Sequence, residues 1–355
     1  MTFTFLAASL TVGEAHFSLL HFINDGLMTV FFFLVSLEIK RELLQGELNS
    51  VRKALLPTVA AIGGMLVPAL LYGFVNRPSA EYLSGWAIPM ATDIAFSLGV
   101  LSLLNHKIPR SLKVFLTALA IIDDLGAILV IAIFYTQQIA WLNLVWASFC
   151  VVALLVLNYK NVNRFRYYLL FALPLWFFIL QSGIHATIAG VIAGLTIPLT
   201  KKRSLQSALL TQLEHRLHPW TAFAILPLFA FANAGLSFAK VSWADLLHPL
   251  PLGIILGLFL GKQIGIMSAS WIAIKAKWAK LPSNMTWTHL HGTALICGIG
   301  FTMSLFIANL TFSTEQSSAL VRLGVLAGSA LSAIVGYGLL SIPSRKKGLV
   351  ASSRE

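Results

Sequence analysis

The feature that most constrains this chain is a pair of adjacent carboxylates, Asp123 and Asp124, in Ala-Ile-Ile-Asp-Asp-Leu-Gly at residues 120 to 126. They stand in the middle of an apolar segment running from about residue 112 to 135. An ionised Asp at the centre of a bilayer costs about 2.5 to 3.5 kcal/mol, so a spanning helix normally carries none. Each lies roughly eleven residues, or roughly 16 Å, from the nearer end of the segment, too far for a short side chain to reach water. A pair placed there marks a site.

That the segment lies in a membrane follows from the rest of the chain. Only 11% of its 355 residues are charged and the mean hydropathy is +0.82, whereas a soluble protein carries roughly 25% charged residues. The expected class is an all-α polytopic membrane protein whose main partner is the lipid bilayer. A net charge of +12 suggests nucleic acid only until the basic residues are located, and they lie in loops. Cys150 and Cys297 fall inside apolar stretches, where a thiol behaves as a small hydrophobe, so neither a disulfide nor a metal cluster is indicated.

Eleven apolar segments follow residue 19, among them 20 to 38, 84 to 104, 112 to 135, 219 to 237, 250 to 274 and 288 to 311. Of 25 Lys and Arg residues, 21 fall in the alternate connections 39 to 53, 105 to 113, 158 to 166, 200 to 217 and 275 to 287 and in the tail from 342. Only Arg77, Lys240 and Arg322 fall on the other side. That bias predicts a cytoplasmic carboxyl terminus and an external amino terminus. The expected organisation is an extramembrane stretch at 1 to 18, a transmembrane domain at 19 to 341 and a cytoplasmic tail at 342 to 355. Alternation in Thr2-Phe3-Thr4-Phe5 and the turn signal Val12-Gly13 predict a short N-terminal β-hairpin rather than a span.

The remaining basic residue is Lys262, about twelve residues from either end of the segment 250 to 274, roughly 18 Å against a snorkelling reach of about 6 Å. It needs a partner inside the protein. Asp93, in Pro-Met-Ala-Thr-Asp-Ile-Ala at 89 to 95, is equally deep, and Asp25 lies nearer the outer end of the first segment. A structural ion pair accounts for Lys262 and one Asp, not for Asp93, Asp123 and Asp124 together. Helix breakers surround these residues: Pro89 precedes Thr92 and Asp93, and Gly298 and Gly300 interrupt the segment 288 to 311. Two discontinuous crossing helices are expected, each central to a three-segment unit, at about 54 to 135 and 250 to 341. The two units run with opposite topology, the inverted-repeat arrangement of secondary transporters.

The chemistry then follows from the residue types. A buried carboxylate neutralised by either a proton or a dehydrated cation binds one by expelling the other. Carboxylates, a hydroxyl such as that of Thr92 and unwound backbone carbonyls are hard ligands suited to Na⁺ or Li⁺, and no cofactor is implied. An intramembrane aspartyl protease needs its carboxylates on two facing helices, whereas adjacent residues differ by about 100° on one. A cation channel needs a continuous hydrated pore instead of an occluded site.

The stretches LEIKREL (37 to 43), GWAIPMATDIAFSLGVL (85 to 101), ALAIIDDLGAI (118 to 128), GIHATIAGVIAG (183 to 194), LEHRLHPW (213 to 220), ILPLFAFANAG (225 to 235), GKQIGI (261 to 266) and CGIGFTMSLFI (297 to 307) resemble the NhaA family of bacterial sodium/proton antiporters. The resemblance implies a twelve-helix fold and electrogenic, pH-regulated exchange of Na⁺ or Li⁺ for H⁺. It also implies residence in the inner membrane and a part in pH homeostasis and salt tolerance. By position, Asp124 resembles the family's cation- and proton-binding carboxylate. Asp123 resembles its neighbour, which alternates between the lysine, here Lys262, and the cation. Thr92 and Asp93 resemble the first helix break, Asp25 a pathway residue, and Glu38, Arg41, Glu42, Glu214, His215 and His218 a pH-sensing cluster. His185, nearer the outer face, is a weaker candidate for that role. Only about 19 residues precede the helix containing Asp25, where family members usually have another helix, so about eleven spans are expected. A hairpin in this place pairs two protomers in the family, which implies a homodimer.

Overall fold

A computed structural model describes residues 9–12, 15–104, 108–136, 139–199, 208–236 and 242–342. The turn expected at Gly13 and the tail beyond residue 342 lie outside these. Strands β1 (Ser9–Val12) and β2 (Ala15–Ser18) pair antiparallel, Ser9 opposite Ser18. Helices α1 (Phe22–Gln45) and α2 (Val51–Asn76) precede a bent pair, α3 (Ala80–Met90) and α4 (Ile94–Leu103). Next come α5 (Arg110–Phe134), α6 (Trp141–Tyr159), α7 (Phe165–Leu180) and α8 (Thr187–Thr196). Helix α9 (Leu209–Trp220) runs through a π-helical turn into α10 (Leu226–Asn233). Helix α11 (Pro249–Lys275), a second bent pair, α12 (Trp287–Ile296) and α13 (Phe301–Thr311), and α14 (Glu315–Ser341) complete the chain.

Among the described residues six helices are long and apolar enough to cross a membrane, and each bent pair meets the same test when taken together, turning by 47° and 43°. Residues such as Leu70, Ile133 and Trp141 present large apolar side chains outward, as a lipid-facing surface requires.

Helix α11 is set against α2 by a stripe of glycines, Gly253, Gly257, Gly261 and Gly265, recurring every four residues. A Cβ on Gly265 would lie 2.1 Å from the carbonyl oxygen of Gly63, and one on Gly261 would lie 2.7 Å from Pro68 Cα. The two backbones therefore touch, the close approach that small residues permit between helices in lipid. A π-helical turn, Gly257–Gly261, closes immediately before Lys262, a widening of the kind found at functional positions.

Several helices run further than the apolar segments did. Helix α1 continues to Gln45 and α9 begins at Leu209, inside stretches read from the sequence as connections. The charges there are met by protein. Lys40 Nζ donates to the carbonyls of Leu195 (2.7 Å) and Ile197 (2.6 Å), satisfying the C-terminal end of α8.

Candidate functional site

The two helix breaks meet and complete each other. Residues 91 to 93, between α3 and α4, run extended past residues 297 to 300, between α12 and α13. The Asp93 N–H donates to Ile299 O (2.7 Å) and the Thr92 hydroxyl to Cys297 O (2.9 Å). Ser97 donates to Ile296 O and Ser304 to Ile88 O. Carbonyls released at one break are thus taken up by donors from the other, as buried backbone groups must be in a membrane. Thr92, expected as a cation ligand through its hydroxyl, donates its proton in this contact and keeps the lone pairs of its oxygen.

Charge is placed on the ends of the half-helices. Asp93 accepts at Oδ1 from the Phe96 N–H (3.1 Å), capping α4, and at Oδ2 from the Thr302 N–H (3.0 Å) and the Thr302 hydroxyl, at the start of α13. One carboxylate therefore serves two helix N-termini, where negative charge is favoured. Lys262, fully buried, donates to Met90 O at the C-terminal end of α3 and to Asp123 Oδ2 at 2.6 Å.

Of the three deep acids, only Asp124 is left over. Neither of its oxygens has a hydrogen-bond partner, and it is 1% exposed. Asp123 Oδ1 is also unpartnered. Asp123, Asp93 and Glu38 lie near enough to Asp124 to act on it through charge. A buried carboxylate without donors is stable only when neutralised, by a proton on oxygen or by a cation held against it. Among the described residues no group of three or more His, Cys, Asp and Glu side chains is arranged for a metal ion.

The glycines at the second break act through space, not through an unusual backbone turn. Gly300 has φ of −95°, and among the described residues only Gly183 of the glycines has φ in the left-handed range. A Cβ on Gly298 would lie 2.4 Å from Leu258 O, so close packing excludes a side chain.

Near the end that the loop charges place inside, Arg41 ion-pairs with both Glu42 and Glu214 at 3.0 Å, joining α1 to α9. Glu42 also accepts from the Glu47 N–H. Glu38 lies one turn back, partly buried. His215 and His218 point away on the exposed side of α9, reaching Glu214 through charge only. At the other end, Asp25, Asn24 and His185 line a cavity of about 310 Å³. His185 Nε2 is 2.7 Å from Tyr135 O. Asn233 there donates to Asn24 Oδ1 and accepts from Asn309, a chain of amides linking α1, α10 and α13.

Sequence reasoning missed the glycine stripe of α11, whose four-residue spacing was there to be read. It also missed Ser329, whose hydroxyl accepts from the N–H groups of Gly300 and Phe301. A serine in a membrane helix carries no signal of its own.

A polytopic helical membrane protein with crossed broken helices and an occluded, unpaired carboxylate has the makings of an ion transporter. Residues 2–340 match the family described as Na⁺/H⁺ antiporter 1. Proteins named Na(+)/H(+) antiporter NhaA are similar to this chain. That of Tolumonas auensis is 55% identical over 94% of this chain and 83% of its own length. That of Rhodospirillum rubrum is 56% identical over 92% and 84%, and that of Haemophilus ducreyi 51% over 97% and 89%. The chain belongs to the Na⁺/H⁺ antiporter 1 family. It is a sodium/proton antiporter, a transporter and not an enzyme.

Proposed function

We propose that this antiporter exchanges cytoplasmic Na⁺ or Li⁺ for external H⁺ by alternating access, with Asp124 as the group that takes up either ion. The observation that carries the reading is the unequal treatment of two neighbours: Lys262 holds Asp123, while both oxygens of Asp124 are buried and unpartnered. A proton or a desolvated cation neutralises Asp124, and the neutralised site can pass between access states. Asp123, with one oxygen on Lys262 and one unengaged, exchanges the lysine for the cation as the cation arrives. Residues 54 to 135 and 250 to 341 act as inverted repeats whose crossed breaks, at 91 to 93 and 297 to 300, carry the site. Entry of more than one proton per cation makes the cycle electrogenic, and each net charge then draws about 2.3 kcal/mol per 100 mV from the membrane potential.

About eleven helices span the inner membrane, with the amino terminus outside and the carboxyl terminus in the cytoplasm, the orientation favoured by the distribution of basic residues. Strands β1 and β2 pair two protomers into a homodimer. The ion pairs of Arg41 with Glu42 on α1 and with Glu214 on α9 form a cytoplasmic pH sensor, with Glu38, His215 and His218 adjacent. The test uses inverted membrane vesicles holding a proton gradient. Na⁺ and Li⁺ should each dissipate the gradient, faster when a potential drives net charge, and Asp124→Asn should abolish the response while still reaching the membrane. Normal exchange by that variant overturns the assignment.

A further inference from the structure

Helix α13 starts at a break where its own sequence supplies no cap. The position that normally provides one is Gly300, and a Cβ there would lie 2.2 Å from Ser304 Oγ, 2.8 Å from Leu258 Cδ2 and 3.0 Å from Ala91 O. No Ser, Thr, Asn or Asp fits, although the first N–H groups of a helix need acceptors. They find them on other helices. Thr302 N–H goes to Asp93, and the Gly300 and Phe301 N–H groups both go to Ser329 Oγ, at 3.2 and 3.1 Å. Ser329 lies on α14 and is 5% exposed.

We propose that Ser329 is a positioning residue for cation exchange. By accepting the two N–H groups that Asp93 does not reach, it fixes the start of α13 and leaves the Asp93 carboxylate its single place between α4 and α13. The carbonyls of Cys297 and Ile299, which take donors from Thr92 and Asp93, are fixed with it. The consequence reaches the cation through backbone geometry, since Ser329 forms no bond to Asp123 or Asp124. The inference rests on the reading of those two acids as the binding site.

A second serine provides the control. Ser332, one turn further along α14, is fully buried, and its hydroxyl has no partner. Ser332→Ala removes a hydroxyl from the same helix without removing a hydrogen bond. Na⁺-driven exchange is measured against Na⁺ concentration in inverted vesicles, normalised to protein in the membrane. Ser329→Ala should raise the apparent KM for Na⁺ about tenfold with the maximal rate changed less than about threefold, equivalent to about 1.4 kcal/mol of lost cation binding. Ser329→Thr, which keeps the acceptor, should restore KM, and Ser332→Ala should leave it unchanged. An unchanged KM in Ser329→Ala, or an equal rise in both alanine variants, overturns the proposal. If Ser329→Ala does not reach the membrane, Ser329→Cys, with a weaker acceptor, should raise KM by a smaller factor, and an unchanged KM there overturns it equally. Asp124→Asn is measured alongside: normal exchange by that variant defeats the site reading itself, whereas a dead Asp124→Asn beside an unchanged Ser329→Ala defeats only the role of Ser329.

Discussion

Lys262 and Asp123 form an ion pair with no exposure of either side chain, so removing one partner strands a charge in the protein interior. Breaking a buried pair from one side costs about 3 to 5 kcal/mol. Lys262→Met also deprives Met90 O of its donor, which adds about 1 to 3 kcal/mol for an unsatisfied buried carbonyl. The single variant is therefore expected to lose at least about 4 kcal/mol, and Asp123→Asn, which leaves the ammonium buried, about 3 kcal/mol or more. In the double variant both charges are gone and only the carbonyl remains unsatisfied, so its loss should be about 1 to 3 kcal/mol. The coupling between the sites is then at least about 4 kcal/mol, well above the few tenths expected of independent positions. Melting of the purified protein in detergent reads this directly. At about 2 °C per kcal/mol for a large chain, the single variants should fall by roughly 6 to 8 °C or more, and the double variant by less than either. Additive shifts would refute the argument that these residues hold each other in the native state.

Competition for Asp124 predicts that each unit fall in pH raises the apparent KM for Na⁺ about tenfold per competing proton, with the maximal rate little changed; exchange kinetics at several pH values decide it, and a constant KM excludes simple competition. A pH sensor at the Arg41–Glu214 pair predicts instead that Glu214→Gln shifts the pH dependence of the maximal rate at saturating Na⁺, and an unaltered profile removes that role. Gly265→Val must push apart two backbones already in contact and should lower the melting temperature by several degrees. Gly73→Ala, on the neighbouring helix with open space at its Cβ, should leave the melting temperature unchanged or slightly higher.

What was legible in the sequence was whatever lipid makes expensive. Asp93, Asp123, Asp124 and Lys262 stood out because charge deep in an apolar segment demands an explanation, and the structure gathers all four around the crossed breaks. The division of labour among them was not legible. Three acids and one lysine allow several pairings, and only the placement of Met90 O and Asp123 beside the ammonium selects one. The charges of helix α9 are those of a cytoplasmic connection, and its order depends on contacts with α1 that no local pattern announces. Ser329 was hidden for the opposite reason, and the glycines of α11 show a spacing in the sequence but not the helix they pack on. Small residues cost a membrane helix little wherever they fall, so their importance appears only when the neighbouring backbone is in view.

The mutual completion of the two breaks also constrains how the protein can be made. The acceptor side of Asp93 depends on Thr302, 209 residues later in the chain, and the Thr92 hydroxyl depends on Cys297. At a synthesis rate of about 5 to 20 residues per second, the first break is in being for about 10 to 40 s before its counterpart exists. During that interval Asp93 keeps its local cap on the Phe96 N–H, but the oxygen that will meet Thr302 has only water, lipid headgroups or the insertion machinery to turn to. The first half of the transporter is therefore expected to linger near an aqueous lateral opening, and to settle into the bilayer only when residues 287 to 311 have emerged to close it.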